Sequence, residues 1–382
     1  MFDILNAAGG HLWSLLGYLG PFLFVLALVI VVHELGHYLV GRWCGVGVEA
    51  FALGFGTRLV GWTDRHGTEW KICAIPLGGY VKFKGDLNGA SVPDEEALAA
   101  MDPEERRTAF QFKPLWQRAA IVAAGPIANF ILAFFIFLAS LMSSGQYVVD
   151  PVIETVVAGT AAEQAGIKPG DRIIAINGHK VATFDDVRRF VVQNPDDRAL
   201  QMDIERSGIV TTLEARPRVT EQKTSIGTLR SKTLGVTSST RPEHQRVVHH
   251  GLIGSSVLAV EQIGGVISQS VNYLGGLIAG REKADQLSGP IRIAQVSGKV
   301  AESGVSSLLV LVAILSISIG FINLMPVPLL DGGHLLFYAV EGVFGRPLSR
   351  RVQEIGFRVG FALVLMLMLF VTINDIIQLR QG

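Results

Sequence analysis

His33 and His37 stand four residues apart, with Glu34 directly after the first, in the string Val31-Val32-His33-Glu34-Leu35-Gly36-His37. On a helix, residues four apart share a face, so both imidazoles can offer a nitrogen to one divalent ion. Glu34 then lies beside that ion, placed to act as a general base on water. A bare H-E-x-x-H is a modest signal: with 9 histidines, it arises by chance in about one chain of this size in a hundred. The setting sharpens it. The motif lies inside an apolar run from about Leu19 to Val40. Each ionisable residue near a bilayer centre costs roughly 2.5–3.5 kcal/mol on insertion scales, so His33, Glu34 and His37 in one apolar helix need a compensating role.

Zinc in a catalytic site takes three protein ligands and leaves one position for water. The strongest candidate for the third lies in Asn323-Leu324-Met325-Pro326-Val327-Pro328-Leu329-Leu330-Asp331-Gly332-Gly333-His334. Its prolines and glycines must unwind the end of an apolar segment. Irregular backbone at membrane depth is tolerated only where protein buries it or where it lines a wet cavity. A carboxylate there, Asp331, is favoured, because two histidines and one carboxylate make an established catalytic zinc shell. His334 is a rival ligand and Glu341 a distant one. The same donors also suit iron or cobalt. Cys44 and Cys73 lack C-x-x-C spacing and read as plain thiols.

The elements that must position these residues are mostly membrane spans. The chain has 382 residues, 49% hydrophobic and only 17% charged, which fits an integral membrane protein with a soluble part. Net charge is zero, so there is no global basic field and no nucleic-acid partner is expected. Runs at about Leu19–Val40, Arg118–Met142, Val305–Met325 and Phe357–Ile373 each approach the ~20 residues that cross a ~30 Å core as a helix. Met1–Tyr18 contains no Lys or Arg; it lacks the basic start of a cleaved signal and is expected to stay in the mature protein. Arg42, Arg58, Arg106, Arg107, Lys113 and Arg118 gather between the first two runs. Arg346, Arg350, Arg351 and Arg358 gather between the last two. The positive-inside rule puts 41–117 and 327–356 in the cytoplasm, and the termini and 144–304 outside. His33, His37 and Asp331 then meet at one depth, in the cytoplasmic half of the membrane.

Residues 46–85 are not helical in pattern. Val48–Leu53 leads into Gly54-Phe55-Gly56, and Glu69–Pro76 leads into Leu77-Gly78-Gly79-Tyr80-Val81-Lys82-Phe83. Alternation, aromatics and glycines read as short strands. Tyr80, Lys82 and Lys84 alternate with Val81 and Phe83, as on an edge strand with one apolar face. Such an edge is either an ordinary hairpin or a template that pairs with an extended substrate. The acidic stretch 86–113 reads as a mobile cytoplasmic loop. Gly125-Pro126-Ile127-Ala128-Asn129 interrupts the second span with small residues and an amide; helix packing and a direct role for Asn129 stand equally open. In 151–218, strands at Ile153–Val157, Arg172–Ile176, Leu200–Glu205 and Thr211–Ala215 surround a helix capped by Asp185 and running to Val192, with turns at Lys168–Asp171 and Asn177-Gly178. The run Ala165–Ile173 followed by Ile176-Asn177-Gly178 resembles a PDZ domain of the bacterial protease kind. PDZ domains bind peptide by strand addition; a size filter or a structural plug is the alternative. Ile253, Val257, Val260, Ile263, Ile267, Val271, Leu274 and Ile278 step by three or four residues, as on an interfacial amphipathic helix. A fifth span is the competing reading of 253–279.

Together, HELGH, GFG at 54–56, GPIANF, the PDZ-like stretch, LSGP at 287–290 and NLMPVPLLDGGHL resemble the site-2 protease family of intramembrane zinc metalloproteases, of the regulator-of-sigma-E-protease type. The resemblance covers nearly the whole chain. It implies a polytopic α-helical membrane protein with four transmembrane helices, a cytoplasmic-side membrane-associated β-loop and one extracytoplasmic PDZ domain. The parts would be 1–45, the first transmembrane helix with HExxH; 46–117, the re-entrant β-loop and cytoplasmic loop; and 118–143, the second transmembrane helix. Then come 144–240, the PDZ-like periplasmic domain; 241–304, the amphipathic region; and 305–382, the last two helices with the LDG motif. It also implies Zn2+ held by His33, His37 and Asp331, with Glu34 as catalytic base. Asn323, Pro326, Pro328, Gly54, Phe55, Gly56, Gly79 and Tyr80 would contact substrate. Expected partners are single-span membrane proteins, such as anti-sigma factors after a first cleavage or remnant signal peptides, together with membrane lipid and a peptide ligand of the PDZ domain. The place would be a bacterial inner membrane, with the PDZ domain and both termini in the periplasm. The best-known members carry two tandem PDZ domains; this chain reads as having one. The rival readings are a PDZ scaffold on a metal-stabilised bundle, with a closed metal site, and a transporter, against which no internal repeat is found.

Overall fold

The first apolar run folds into helix α1 (Phe2–Trp43) because nothing but Pro21 interrupts it. The structure, a computed structural model, describes residues 2–89, 92–194, 198–224, 227–280, 287 and 289–381. Strands β1 (Val48–Thr63) and β2 (Glu69–Phe83) follow. They do not form one long ladder. Val48–Leu53 lies between two parts of β2, Gly79–Phe83 on one side and Glu69–Ile72 on the other, while Arg58–Thr63 pairs with Cys73–Glu69. The chain folds back at Gly54 and Gly56, where φ is +88° and +84°, and at Gly78, where φ is +114°; only glycine takes such angles without strain. Val81 and Phe83 are buried and Tyr80 and Lys82 are not, so the expected alternation is there. Asp64 organises the turn, accepting from the Trp70 indole at 2.9 Å and the Thr68 and His66 amides at 3.0 and 2.8 Å. The Trp70 bond foremost holds its carboxyl down at about 2.

The acidic stretch after β2 is more ordered than its composition suggests. It forms α2 (Glu95–Ala100) and α3 (Pro103–Thr108). Asp102 and Glu105 make a reciprocal capping box on α3. Phe110 is buried and stacks on Phe83 at 5.2 Å. The expected loop is therefore pinned to the sheet by one buried aromatic. Helix α4 (Leu115–Ser144) runs unbroken through Gly125–Asn129, the stretch of small residues and an amide in the second span. The flanking apolar turns hold it despite the bond Pro126 cannot make.

The chain divides into two compact units. The second begins as α4 ends. It contains β3 (Gln146–Val149), β4 (Ile153–Val156), α5 (Ala161–Gln164), β5 (Arg172–Ile176), β6 (His179–Lys180), α6 (Phe184–Gln193), β7 (Leu200–Arg206), β8 (Ile209–Ala215), β9 (Arg218–Thr224), β10 (Gly227–Thr233), β11 (Val236–Ser238) and β12 (Gln245–Val248). An antiparallel sheet runs in the order β6-β5-β7-β8. Asn177 and Gly178 turn β5 into β6 with φ of +50° and +78°, the signature of a tight hairpin. Ile173, Ile176, Met202 and Ile204 are fully buried beneath Val187 and Val191 of α6. Two expectations are corrected here. The α6 cap is Thr183, in a capping box with Asp186, rather than Asp185. The unit does not stop at 240, because β12 returns to pair with β3. Strands β9 to β12 were not foreseen.

Asp171 fastens this unit. It accepts two bonds from the Arg206 guanidinium, at 2.7 Å each, and one from the Lys168 amide. Burial alone would raise its carboxyl; the Arg206 fork and the Lys168 N–H overcome that and hold it below the usual range. A carboxyl depressed in the folded state contributes stability above its unfolded pKa and loses it as pH falls through the folded value. Asp171→Asn is therefore expected to speed hydrogen exchange in β5 and β7 at neutral pH. The gap from the wild type should close as pH drops below about 4. A gap that persists in acid would refute the ionic origin.

The chain ends in helices α7 (Leu252–Ile278), α8 (Pro290–Glu302), α9 (Val305–Asn323), α10 (Asp331–Phe344) and α11 (Arg350–Gln381). Of the LSGP motif, Ser288 lies outside the described residues. Helix α10 lies inside the 327–356 segment that was expected to face the cytoplasm. Among the described residues, four helices are long and apolar enough to cross a membrane: Gly17–Trp43, Leu115–Ser144, Val305–Asn323 and Arg350–Gln378. Helix α7 is not among them. Val25 and Val29 of α1 and Val312 of α9 make a buried core with Leu132 and Ile136 of α4. Gly36 lets α1 and α4 touch: a Cβ there would collide with the Ala124 carbonyl and stand 2.8 Å from Ala128 Cβ.

Candidate metal centre

Two helical faces meet at the site. On α1, His33 and His37 point the same way, as their spacing requires, and both are buried. On α4, Ile121, Gly125 and Asn129 share the opposing face by the same four-residue step. The Ile121 carbonyl lies 2.8 Å from His37 Nδ1. A carbonyl only accepts, so Nδ1 carries the proton and Nε2 offers its lone pair. Asn129 Nδ2 lies 3.2 Å from His33 Nδ1.

Asp331 arrives from the other end of the chain. Helix α9 stops at Asn323 and α10 begins at Asp331. Between them Leu329 has φ of +102°, a region that costs a residue with a side chain on the order of 1–3 kcal/mol. Surrounding structure enforces it. A Cβ at Gly360 of α11 would collide with the Pro328 carbonyl, so α11 lies directly on the irregular segment.

Nε2 of His33 and Nε2 of His37 are 3.2 Å apart. Asp331 Oδ2 is 3.1 Å from His33 Nε2, and Oδ1 is 3.6 Å from His37 Nε2. Ligands ~2.0–2.1 Å from a tetrahedral zinc stand roughly 3.3 Å from one another, so these separations suit the ion. Asp331 Oδ2 is buried and has no hydrogen-bond donor, and an orphaned buried carboxylate oxygen calls for a cation. Gly125 leaves the room: a Cβ there would overlap His37 Nε2 and stand 2.8 Å from His33 Nε2. The donors present therefore fit zinc. Among the described residues, this cluster has His33, His37 and Asp331 as its members.

The other expected site residues divide. Gly79 meets the site, since a Cβ there would lie 3.1 Å from Glu34 Cγ, and the Val81 N–H reaches the Glu34 carboxylate. Gly54, Phe55 and Gly56 contact the sheet itself: Gly54 and Gly56 back onto Ile75, and Phe55 lies over Gly78 and stacks with Tyr80 at 6.0 Å. Asn323 is the last residue of α9. Pro326 is exposed and Pro328 packs against α11. His334 sits against Phe357 and Tyr338, with ring centroids 5.4 and 6.5 Å away, and is not one of the three clustered donors. Glu341 is paired with Arg118 at 2.6 Å. Sequence reasoning missed Ile121 and Gly125. The repeat 121, 125, 129, matching the step from 33 to 37, was the available signal.

A membrane-embedded metal-dependent hydrolase is the class that this helix pair and donor set define. A family model described as Peptidase family M50 matches residues 21–367. A relative from Rhizobium meliloti named "putative zinc metalloprotease" is 49% identical over 93% of this chain and 95% of its own length. One of the same name from Agrobacterium fabrum is 48% identical over 96% of this chain and 97% of its own. The metalloprotease MmpA of Caulobacter vibrioides is 42% identical over 93% and 94%. The chain belongs to Peptidase family M50 and is a metalloprotease. One solved structure, the PDZ domain of the SdrC-like protein of Listeria monocytogenes, covers 23% of this chain and 84% of that one at 11% identity and a TM-score of 0.19. The PDZ-like reading therefore stands on the second unit's own sequence and topology.

Proposed function

We propose that this chain hydrolyses peptide bonds within or beside the transmembrane segment of single-span membrane proteins, with zinc held by His33, His37 and Asp331. The observation that carries the reading is the meeting of two buried histidines on an apolar helix with the half-buried Asp331 carboxylate, with Glu34 beside a strand that, among the described residues, is paired on one side. Zinc there supplies Lewis acidity, bringing the pKa of a water to about 7 and polarising a carbonyl. Glu34 takes a proton from the attacking water and passes it to the leaving amine. Asn323 donates its amide to the oxygen of the scissile carbonyl.

A helical peptide bond is shielded by its own hydrogen bonds, so the substrate must unwind. Gly79–Phe83 takes the extended segment as an added strand, with Gly54, Phe55, Gly56 and Tyr80 shaping the sheet behind it and Pro326 and Pro328 keeping the 324–330 segment open. Loop charges favour an active site toward the cytoplasm of a bacterial inner membrane and a PDZ-like unit outside. That unit either binds peptide or excludes bulky outer domains, so that a first cleavage is needed. Anti-sigma factors or remnant signal peptides are the substrates this arrangement suits. Exposure of Ile253, Val257, Val260, Val271 and Ile278 favours α7 lying on the outer membrane surface. A closed scaffold site needs a fourth protein ligand, and His334 faces aromatic rings instead.

The test is cleavage of a single-span substrate in vesicles. Cleavage inside its membrane segment should stop with a zinc chelator and return with added zinc. Cleavage that persists after zinc is stripped, or that occurs only in soluble segments, overturns the reading.

A further inference from the structure

Asn129 is fully buried on α4, between the metal cluster and α9. Ser316 of α9 donates its hydroxyl to the Asn129 backbone carbonyl at 2.9 Å, which fixes that residue's height on the helix. Its side chain is less settled. Nδ2 is 3.2 Å from His33 Nδ1, while Oδ1 is buried without a hydrogen-bond partner. The two ends of an amide have the same shape, and only the network around them decides which faces a neighbour. With Nδ2 toward His33, Nδ1 must accept and the ring proton is forced onto Nε2. That is the nitrogen 3.2 Å from His37 Nε2 and 3.1 Å from Asp331 Oδ2, where a lone pair is needed. Turning the amide over gives Oδ1 a donor, the His33 Nδ1–H, and returns the lone pair to Nε2.

We propose that Asn129 is a positioning residue of the metal centre: its side-chain oxygen accepts the Nδ1–H of His33 and commits the His33 Nε2 lone pair to the metal. The Ile121 carbonyl does the same for His37 from two four-residue steps earlier on α4, at 2.8 Å. One face of α4 thus sets the tautomer of both histidines. Such outer partners orient a ligand ring and raise its basicity, and removing one typically costs 10–100-fold in metal affinity. The inference rests on the zinc reading above.

The test uses the full chain in detergent and reads zinc affinity by competition with graded chelators, per folded monodisperse protein. Asn129→Leu keeps the volume and removes the acceptor; it should weaken zinc by about 10–100-fold. Asn129→Asp keeps an acceptor and should hold zinc at least 10-fold more tightly than Asn129→Leu. A packing role ranks them the other way, because a buried carboxylate packs worse than leucine. Equal affinities, or Asp weaker than Leu, overturn the proposal. Nitrogen-15 NMR of the zinc-free wild type needs no variant at Asn129. With His33 assigned by its loss in His33→Gln, Nδ1 should carry a proton, and an Nδ1 without one overturns the proposal. His33→Ala separates the two readings. If it binds zinc as the wild type does, the ligand set is wrong; if it loses zinc and Asn129→Leu does not, only the role of Asn129 is wrong.

Discussion

Glu34→Gln should lower cleavage of a single-span substrate by about 10²–10⁴-fold, the usual contribution of a positioned general base, and leave bound zinc unchanged. The substitution is close to isosteric. Glutamine keeps an oxygen to accept from the Val81 N–H and keeps the contact with Gly79. The metal cluster does not include residue 34, so His33, His37 and Asp331 should hold the ion as before. What disappears is the ability to take a proton. Alanine would be a poorer probe, since it opens a cavity and strands the Val81 N–H. Elemental analysis and cleavage are read on one preparation. Cleavage within tenfold of the wild type would remove Glu34 from the chemistry, and lost zinc would make it a ligand or a fold determinant.

Why these residues can be tested this way was largely legible in the chain. The H-E-x-x-H step and the apolar run around it are local signals, so α1 and the facing of His33 and His37 follow from helical geometry alone. Asp331 was legible for a different reason. Prolines and glycines at membrane depth have to be explained, and a carboxylate beside them narrows the explanation. The partners on α4 were not legible in the same way. Ile121 acts through its backbone carbonyl, which every residue possesses, and Gly125 acts by lacking a side chain. The 86–113 stretch was misjudged because its acidity was weighed above the Asp102–Glu105 capping box, a local pattern in plain view. The return of β12 to β3 is a pairing across about a hundred residues, for which local alternation carries no information.

Gly125→Ala gives the clearest separation between packing and metal binding, because the two predict opposite signs. Gly125 lies inside α4, with helical residues on both sides. Judged by helix propensity alone, alanine should stabilise the protein by roughly 0.5–1 kcal/mol. The site predicts harm. A Cβ at 125 would overlap His37 Nε2 and stand 2.8 Å from His33 Nε2, in the space where the ligand nitrogens converge. Helix α4 cannot simply retreat, since Gly36 brings α1 against Ala124 and Ala128, and Ser316 ties Asn129 to α9. The histidines must turn aside instead, and turning breaks the His37 bond to the Ile121 carbonyl. Zinc affinity should therefore fall at least as far as when a ligand's outer partner is lost, about 10–100-fold, and activity should fall with it. The zinc-free protein carries the same collision and loses the same His37 bond, which offset the helical gain, so its melting temperature should not rise above that of the wild type. Wild-type zinc affinity in Gly125→Ala would show that the histidines do not converge in front of α4, and the proposed centre would have to be rebuilt around a different set of donors.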